Sequence, residues 1–175
     1  MTKLAPQGGR VSSVLSGLGT NKRLLNVRAG GGKLFLLGRI KTGDELPDWD
    51  SWIQTFDSDG HLLSEFSIDV AQGDMFWDLA RLEDGTLLAV GSTNYTQNPS
   101  GLSVSDQRDN LAVIVGPDGS VRKRFVLPGG PANRGNEVSS VRVIGHQAVF
   151  AGIQNAPGTH AAVFSDAWVD RRSLD

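Results

Sequence analysis

Residues 50–66 read Asp-Ser-Trp-Ile-Gln-Thr-Phe-Asp-Ser-Asp-Gly-His-Leu-Leu-Ser-Glu-Phe, with an apolar run on each side of an Asp-Gly turn. This pattern favours a β-hairpin, because glycine accepts the positive φ that a tight hairpin turn requires. A similar stretch recurs at 109–125, where Asp118-Gly119 is the turn, and its first half returns at 166–175. The recurrence predicts an internal repeat of antiparallel strands.

A second hairpin precedes each copy of the first. It is clearest at Leu79–Gly91, where Glu83-Asp84-Gly85 forms the turn, and its other copies are Asn26–Gly38 and Ser140–Gly152. The apolar runs are short and lack a helical period, so we predict strands. Near-continuous runs such as Leu34–Leu37 indicate strands that are buried on both faces, as in the stacked sheets of a propeller.

We therefore predict an all-β fold with three four-stranded antiparallel repeats of the β-propeller type, in a single repeat domain over residues 1–175. The three units span 24–70, 76–127 and 137–175. The third is incomplete, because the sequence reaches its turn position and lacks the strand that follows. Since Gly9–Leu15 resembles Gly60–Phe66, we expect residues 9–17 to form an outer strand that completes this last unit.

The number of repeats raises a problem of closure. Propellers typically have four to eight blades, so three are too few for an ordinary closed ring. Two chains could join their repeats into one six-bladed ring as a homodimer, the chain could be a piece of a longer protein, or the three sheets could pack as a prism. We favour the shared ring, since exposed strand edges must be paired or protected.

The segments Asp50–Gly60 and Asp84–Thr93 resemble bacterial β-propeller repeats of the delta-60 or SBBP type. Those repeats combine an Asp-x-Trp strand and an Asp-x-Asp-Gly turn with a strand of the Asp-Gly-x-Leu-Leu-Ala-Val-Gly-Ser-Thr kind. The resemblance covers most of the chain from Val27 onward, although the second copy has Leu111 in place of the tryptophan. It implies a propeller fold and an exported or surface-associated binding module, and it says more about fold than about activity.

Composition narrows the classes of function. The formal net charge of −2 gives no electrostatic argument for a nucleic-acid partner. Because there is no cysteine, disulfides, thiolate metal sites and cysteine nucleophiles are excluded. No stretch approaches the roughly 20 apolar residues of a membrane span, and the first residues lack the apolar region of a signal peptide. These features leave the compartment open.

Catalytic and cofactor motifs are missing from the sequence. It contains no nucleophile elbow, phosphate loop or dinucleotide fingerprint. The histidines His61, His146 and His160 fall at unrelated positions of the units, and Asp57–Gly60 lacks the remainder of a calcium loop. We therefore expect no metal ion, no cofactor and no catalytic residue.

One arginine and one aspartate recur in every unit. We predict three structural ion pairs, which are Arg28 with Asp50, Arg81 with Asp109, and Arg142 with Asp166. In such a pair the fork of the guanidinium group holds a carboxylate. The alternative is a ring of arginines on the inner strands that faces the channel and binds an anion.

An acidic and aromatic segment is the candidate ligand site. The candidate ligand-binding residues are Asp44, Asp48, Trp49, Trp52 and Tyr95. The two stretches that hold them both precede an Asp-x-Trp strand, so we expect them at the same end of the repeats, where long loops usually bind. Trp49 would stack on a sugar or a protein surface. The alternative is a solvated loop with a packed tryptophan.

Together these features favour a non-enzymatic binding or protein-interaction module. One alternative is a carbohydrate-binding lectin that uses Trp49, Trp52 or Trp168. Another is a fragment or domain of a larger propeller protein or enzyme. An enzyme would need a cleft with perturbed acids, for which Asp44 and Asp48 are the candidates. The sequence leaves open whether the partner is a protein or a carbohydrate.

Overall fold

The computed structural model describes residues 2–4, 10–13, 22–41, 49–70, 73–93, 109–127, 137–155 and 165–174. These residues form β-strands joined by turns, and they contain no helix. The paired strands run antiparallel throughout. The predicted all-β, antiparallel fold class is therefore confirmed for the described part of the chain.

The strands form a small hairpin followed by three larger sheets. The hairpin pairs β1 (Thr2–Leu4) with β2 (Arg10–Ser13). Sheet 1 contains β3 (Lys22–Gly30), β4 (Lys33–Lys41), β5 (Trp49–Phe56) and β6 (Leu62–Ile68). Sheet 2 contains β7 (Met75–Arg81), β8 (Leu87–Thr93), β9 (Asp109–Val115) and β10 (Val121–Val126). Sheet 3 contains β11 (Glu137–Ile144), β12 (Gln147–Asn155) and β13 (Ser165–Ser173). Within each sheet, strands that are consecutive along the chain are neighbours.

Aspartate-glycine turns join strands where the sequence predicts them. Gly60, Gly85 and Gly119 have φ values of 92°, 89° and 86°, in the left-handed region that glycine adopts without steric cost. A preceding aspartate accepts backbone hydrogen bonds across each turn; Asp57 Oδ1, for example, accepts one from the N–H of His61 at 2.9 Å. These bonds are local, so each hairpin turn is specified by its own few residues.

Sheet 2 lies between sheets 1 and 3, and each of its faces packs into a separate hydrophobic cluster. Side chains along β8 alternate between the two faces, so Leu87 and Ala89 contact sheet 1 whereas Leu88 and Val90 contact sheet 3. The cluster between sheets 1 and 2 includes Phe35, Leu37, Ile53, Phe76, Leu79, Leu111 and Val113. The cluster between sheets 2 and 3 includes Ala112, Val138, Val141, Ala148 and Phe150. Strand β8 is thus buried on both faces.

The first hairpins of the three sheets share one register. In each first strand a β-bulge follows a residue that lies opposite a glycine. These opposite pairs are Leu24 with Gly38, Phe76 with Gly91, and Val138 with Gly152. At Gly91 the neighbouring backbone comes so close that a Cβ atom would lie 2.0 Å from the carbonyl oxygen of Met75. The shared register defines corresponding positions in the three sheets.

This register also defines two faces for each sheet. The front face carries Leu36 and Trp52 in sheet 1, Ala89 and Leu111 in sheet 2, and Phe150 and Trp168 in sheet 3. The back face carries Leu37 and Ile53 in sheet 1, Val90 and Ala112 in sheet 2, and Ala151 and Val169 in sheet 3. The front of sheet 2 covers the back of sheet 1, and the front of sheet 3 covers the back of sheet 2.

The described residues do not form a closed ring of sheets. Sheet 3 has three strands, and β2, which falls within the predicted closing strand 9–17, is paired with β1. Residues 9 and 14–17 of that predicted strand lie outside the described residues. Closure of the last sheet by the N-terminal segment therefore stays a prediction.

Candidate functional site

The first strands of the three sheets meet at the buried carboxylate of Asp78 on β7. Its Oδ1 atom accepts hydrogen bonds from Arg28 Nε at 2.7 Å, from the N–H of Leu79 at 2.8 Å, and from Asn26 Nδ2 at 3.3 Å. The donors Arg28 and Asn26 belong to β3. One oxygen of the carboxylate therefore ties sheet 1 to sheet 2.

The second oxygen of Asp78 binds sheet 3 in the same way. Its Oδ2 atom accepts hydrogen bonds from Ser140 Oγ, the N–H of Val141 and Arg142 Nη1, each at 3.0 Å and all from β11. We call Asp78 and these donors from β3 and β11 the Asp78 junction. It joins three sheets through a single carboxylate that has no exposed surface.

The protonation of Asp78 reflects two opposing influences. Burial is the largest single influence and would raise the pKa of the carboxyl, because it penalises the charged form. The hydrogen bond from Arg28, those from the backbone of Val141 and Leu79, and the charge of Arg28 act in the opposite direction. Their sum lowers the pKa of Asp78 below its ordinary value, so the junction holds an ionised carboxylate at neutral pH.

Arg81 does not correspond to Arg28 and Arg142. Counted from the bulges, the residue of sheet 2 at their position is Ala80. The first hairpin of sheet 2 has a three-residue turn, whereas those of sheets 1 and 3 have two-residue turns, and the extra residue shifts the sequence match by one. A one-residue shift moves a side chain to the other face of the strand.

Arg81 contacts sheet 1 instead. Its guanidinium lies beside Gly31, where a Cβ atom would come within 2.9 Å of Arg81 Cζ. Together with Lys33, Phe35 and Asp84 it lines a cavity of about 450 Å³ between sheets 1 and 2. The three arginines predicted to share one position therefore do not form a ring at the junction.

The strand register does not bring the members of the predicted ion pairs together. Arg28 lies opposite Phe35, which lies opposite Thr55, and Asp50 is five positions from Thr55 along β5. That separation is roughly 17 Å at about 3.3 Å per residue, beyond the reach of an arginine side chain. Sheets 2 and 3 have the same arrangement, with Asp109 and Asp166 near the opposite end from Arg81 and Arg142. The side chains of Asp109 and Asp166 lie outside the described residues.

The candidate ligand residues fall into two groups. Asp44, Asp48 and Tyr95 lie outside the described residues, so their role stays a prediction. Trp49 is buried on β5, with the guanidinium of Arg39 4.3 Å from its ring centroid.

Trp52 is also buried, and its indole Nε1 donates a hydrogen bond to the carbonyl oxygen of Arg39 at 3.0 Å. The Nζ atom of Lys22 lies over its ring, 5.4 Å from the centroid, and forms an ion pair with Glu65. Trp52 therefore packs within the protein, with 1% of its surface exposed. The sequence suggested an accessible tryptophan because composition alone does not show what covers a side chain.

No feature of the sequence indicated an exposed apolar surface on the back of sheet 3. Val169, opposite Ala151, is 73% exposed, whereas the corresponding Ile53 and Ala112 are fully buried. Ile144 and Ile153 lie on the same face and are exposed. The near-continuous apolar run of β12 predicts burial on both faces, but only the neighbouring sheet determines whether burial occurs.

Comparison of the chain with models of known protein families and with curated proteins finds no match. Within the described ranges, no helix has the length and apolar character needed to cross a membrane. The same ranges contain no group of three or more histidine, aspartate or glutamate side chains arranged to hold a metal ion. Function is therefore argued from the geometry of the sheets.

Proposed function

We propose that the chain is a non-enzymatic protein-interaction module on a β-propeller-type scaffold, in which each large sheet is one blade. Three features support the scaffold. The strands of each sheet follow one another in antiparallel order, the sheets stack front to back, and their first hairpins share one register. The Asp78 junction, which joins the three first strands, also suits blades that converge on an axis.

One observation carries the interaction function. On the back of sheet 3, Val169 and Ile144 remain exposed, and the exposed cations Arg142 and Arg171 lie on the same face. Burying one such apolar side chain is worth about 1.5–3 kcal/mol. Large apolar side chains exposed on one face of a folded domain are a feature of surfaces that contact another protein.

The lectin alternative draws no support from the described aromatic side chains. Trp49 and Trp52 are packed against cationic side chains, and the indole of Trp168 donates to the carbonyl oxygen of Ile153 at 3.3 Å. No observation among the described residues favours a second function over protein interaction.

Site-directed cross-linking tests this proposal. Because the chain has no cysteine, Val169→Cys provides a single attachment point for a benzophenone maleimide on the back of sheet 3. Val126→Cys is the matched control, since Val126 on β10 is 70% exposed and is the same type of residue. Both labelled proteins are irradiated in an extract of the source cells and also in purified form.

We expect a discrete cross-linked protein adduct from position 169 and little adduct from position 126. The proposal is contradicted if position 169 gives no adduct in either sample, or if both positions give the same adducts in the same yield. The mass and peptide content of an adduct identify the partner as another copy of the chain or as a different protein.

A further inference from the structure

We infer that the partner of the back face of sheet 3 is a second copy of this chain, which contributes the front face of its sheet 1. The inference rests on the interaction function proposed above and specifies its partner. It starts from the other end of the stack of sheets, where a second set of apolar side chains is exposed. Leu24 and Val27 on β3 are 44% and 41% exposed.

These two side chains occupy positions that are covered in the other sheets. Leu24 corresponds to Phe76 and Val138, and Val27 corresponds to Leu79 and Val141. All four corresponding side chains are buried in the clusters between sheets. The exposed part of the front of sheet 1 thus carries residues of the kind that cover a back face elsewhere in the molecule.

The two exposed faces complement each other. Across the described residues, the backs of sheets 1 and 2 are covered by the fronts of sheets 2 and 3, which leaves the back of sheet 3 and the β3 side of the front of sheet 1. In the proposed dimer, the front face of sheet 1 in the second copy packs against the exposed back face of sheet 3 in the first copy. The centre of the front of sheet 1, including Leu36, Trp52 and Phe56, is already buried, so the contact is expected along β3.

Charged side chains lie on both faces, and on the front of sheet 1 the carboxylate of Glu65 is already paired with Lys22. Arg171 lies on the back of sheet 3 and is exposed. Glu65 lies on the front of sheet 1, at the position where sheet 2 has Arg124. Arg124 donates to the carbonyl oxygen of Val70 at 3.3 Å and so reaches across the boundary between sheets 1 and 2. In the second copy, Glu65 would approach the face that carries Arg171.

We expect two such contacts to close the assembly into a ring. A contact between two different faces generates a ring when its rotation closes. Two copies would contribute six sheets, within the four to eight blades that propellers typically have. The second copy also covers the apolar back face that would otherwise remain exposed to solvent.

Light scattering on purified full-length chains tests the inference with three variants. Val169→Asp places a charge on the back of sheet 3, Val27→Asp places one on the front of sheet 1, and Val126→Asp is the control. All three sites are exposed, so circular dichroism should show folded proteins. We expect a dimeric wild type and a dimeric control, whereas each of the other two variants should weaken dimerisation at least about tenfold.

Mixing the variants distinguishes this arrangement from a symmetric one. An equimolar mixture of Val169→Asp and Val27→Asp chains keeps one intact contact, between the normal back of one chain and the normal front of the other. We expect the mixture to recover part of the dimer that each variant lacks alone. A dimer in which two copies of sheet 3 pack back to back would survive Val27→Asp and would gain nothing from the mixture.

Each other outcome overturns the inference. A monomeric wild type at micromolar concentration, unimpaired dimerisation of Val27→Asp, or equal loss in the Val126→Asp control would each exclude the shared ring. If the purified chain is monomeric while position 169 cross-links to a different protein in the extract, the second-copy inference fails and the interaction function stands. If position 169 forms no cross-link in either sample, the second-copy inference and the interaction function are both contradicted.

Discussion

Ile53 of sheet 1 and Val169 of sheet 3 occupy the same register position on the backs of their sheets, but their surroundings differ. Ile53 has no exposed surface because sheet 2 covers it, whereas Val169 projects from the last sheet of the stack and is 73% exposed. Both are β-branched residues in the middle of the third strand of a sheet. Burial therefore depends on the presence of the next sheet, and the strand pattern alone does not determine it.

Asp78 and Asp170 also differ in their surroundings. Asp78 accepts six hydrogen bonds and connects three sheets, while Asp170 on β13 pairs with Arg172 of its own strand at 2.7 Å and is partly exposed. An ionic group at the point where sheets meet serves the stacking of the whole chain. The Asp170–Arg172 pair lies within one strand, and Arg172 Nη1 also donates to the carbonyl oxygen of Val126 on β10 at 3.2 Å.

The largest expected effect tests the two back faces directly. Ile53→Ala should lower the free energy of unfolding by about 2–5 kcal/mol, because it leaves a cavity between packed sheets. Val169→Ala should change it by less than about 0.5 kcal/mol in dilute solution, where its side chain contacts mainly water. Urea denaturation of both variants at low protein concentration provides the comparison. Equal losses would mean that the back of sheet 3 is covered within the single chain.

The next expected effect is the loss in the free energy of unfolding when Asp78 or Asp170 is replaced by alanine. Asp78→Ala should cost about 3 kcal/mol, at the lower end of the range for a broken buried ion pair, because Arg28 and Arg142 keep some contact with water. The control Asp170→Ala should cost about 0–1 kcal/mol, as is usual for a partly exposed pair. If the two variants unfold at the same urea concentration, the Asp78 junction does not hold the sheets together.

The smallest expected effect is a change in how the free energy of unfolding depends on pH. The pKa of Asp78 is lowered in the folded protein, so the folded state binds fewer protons than the unfolded state near the unfolded pKa of about 3.9. The carboxylate therefore contributes stability above that pH, and the contribution is lost as the pH falls through the folded pKa. Urea titrations from pH 6 to pH 3 should show a shallower acid loss for Asp78→Asn than for wild type. Identical slopes would contradict an ionised carboxylate at the junction.

The sequence predicted the local features of this molecule better than the contacts between sheets. The turns at Gly60 and Gly119 could be predicted because an aspartate and a glycine within a few residues determine them. The position of Arg81 could not, because the first hairpin of sheet 2 has one extra turn residue that moves the arginine to the opposite face.

The arginine partners also escaped sequence reasoning. Arg28 and Arg142 share Asp78, which belongs to a different sheet from either, so no spacing within one unit relates them. The indole of Trp52 packs with Leu36 and Phe56 and contacts Lys22 and the carbonyl oxygen of Arg39, contacts across the sheet that the sequence does not reveal. The residues of the predicted ligand segment at Asp44, Asp48 and Tyr95 await a test of their own.

Association through the back of sheet 3 would lower the solvent exposure of the Val169 methyl groups. Methyl NMR of the full chain with a soluble paramagnetic agent reports that exposure over a series of protein concentrations, with Val126 as the internal reference. We predict that the paramagnetic relaxation of the Val169 methyl groups falls towards that of buried methyl groups as the chain associates, while the Val126 methyl groups stay exposed. If the Val169 and Val126 methyl groups remain equally exposed at every concentration, the claim that the chain associates through this face is contradicted.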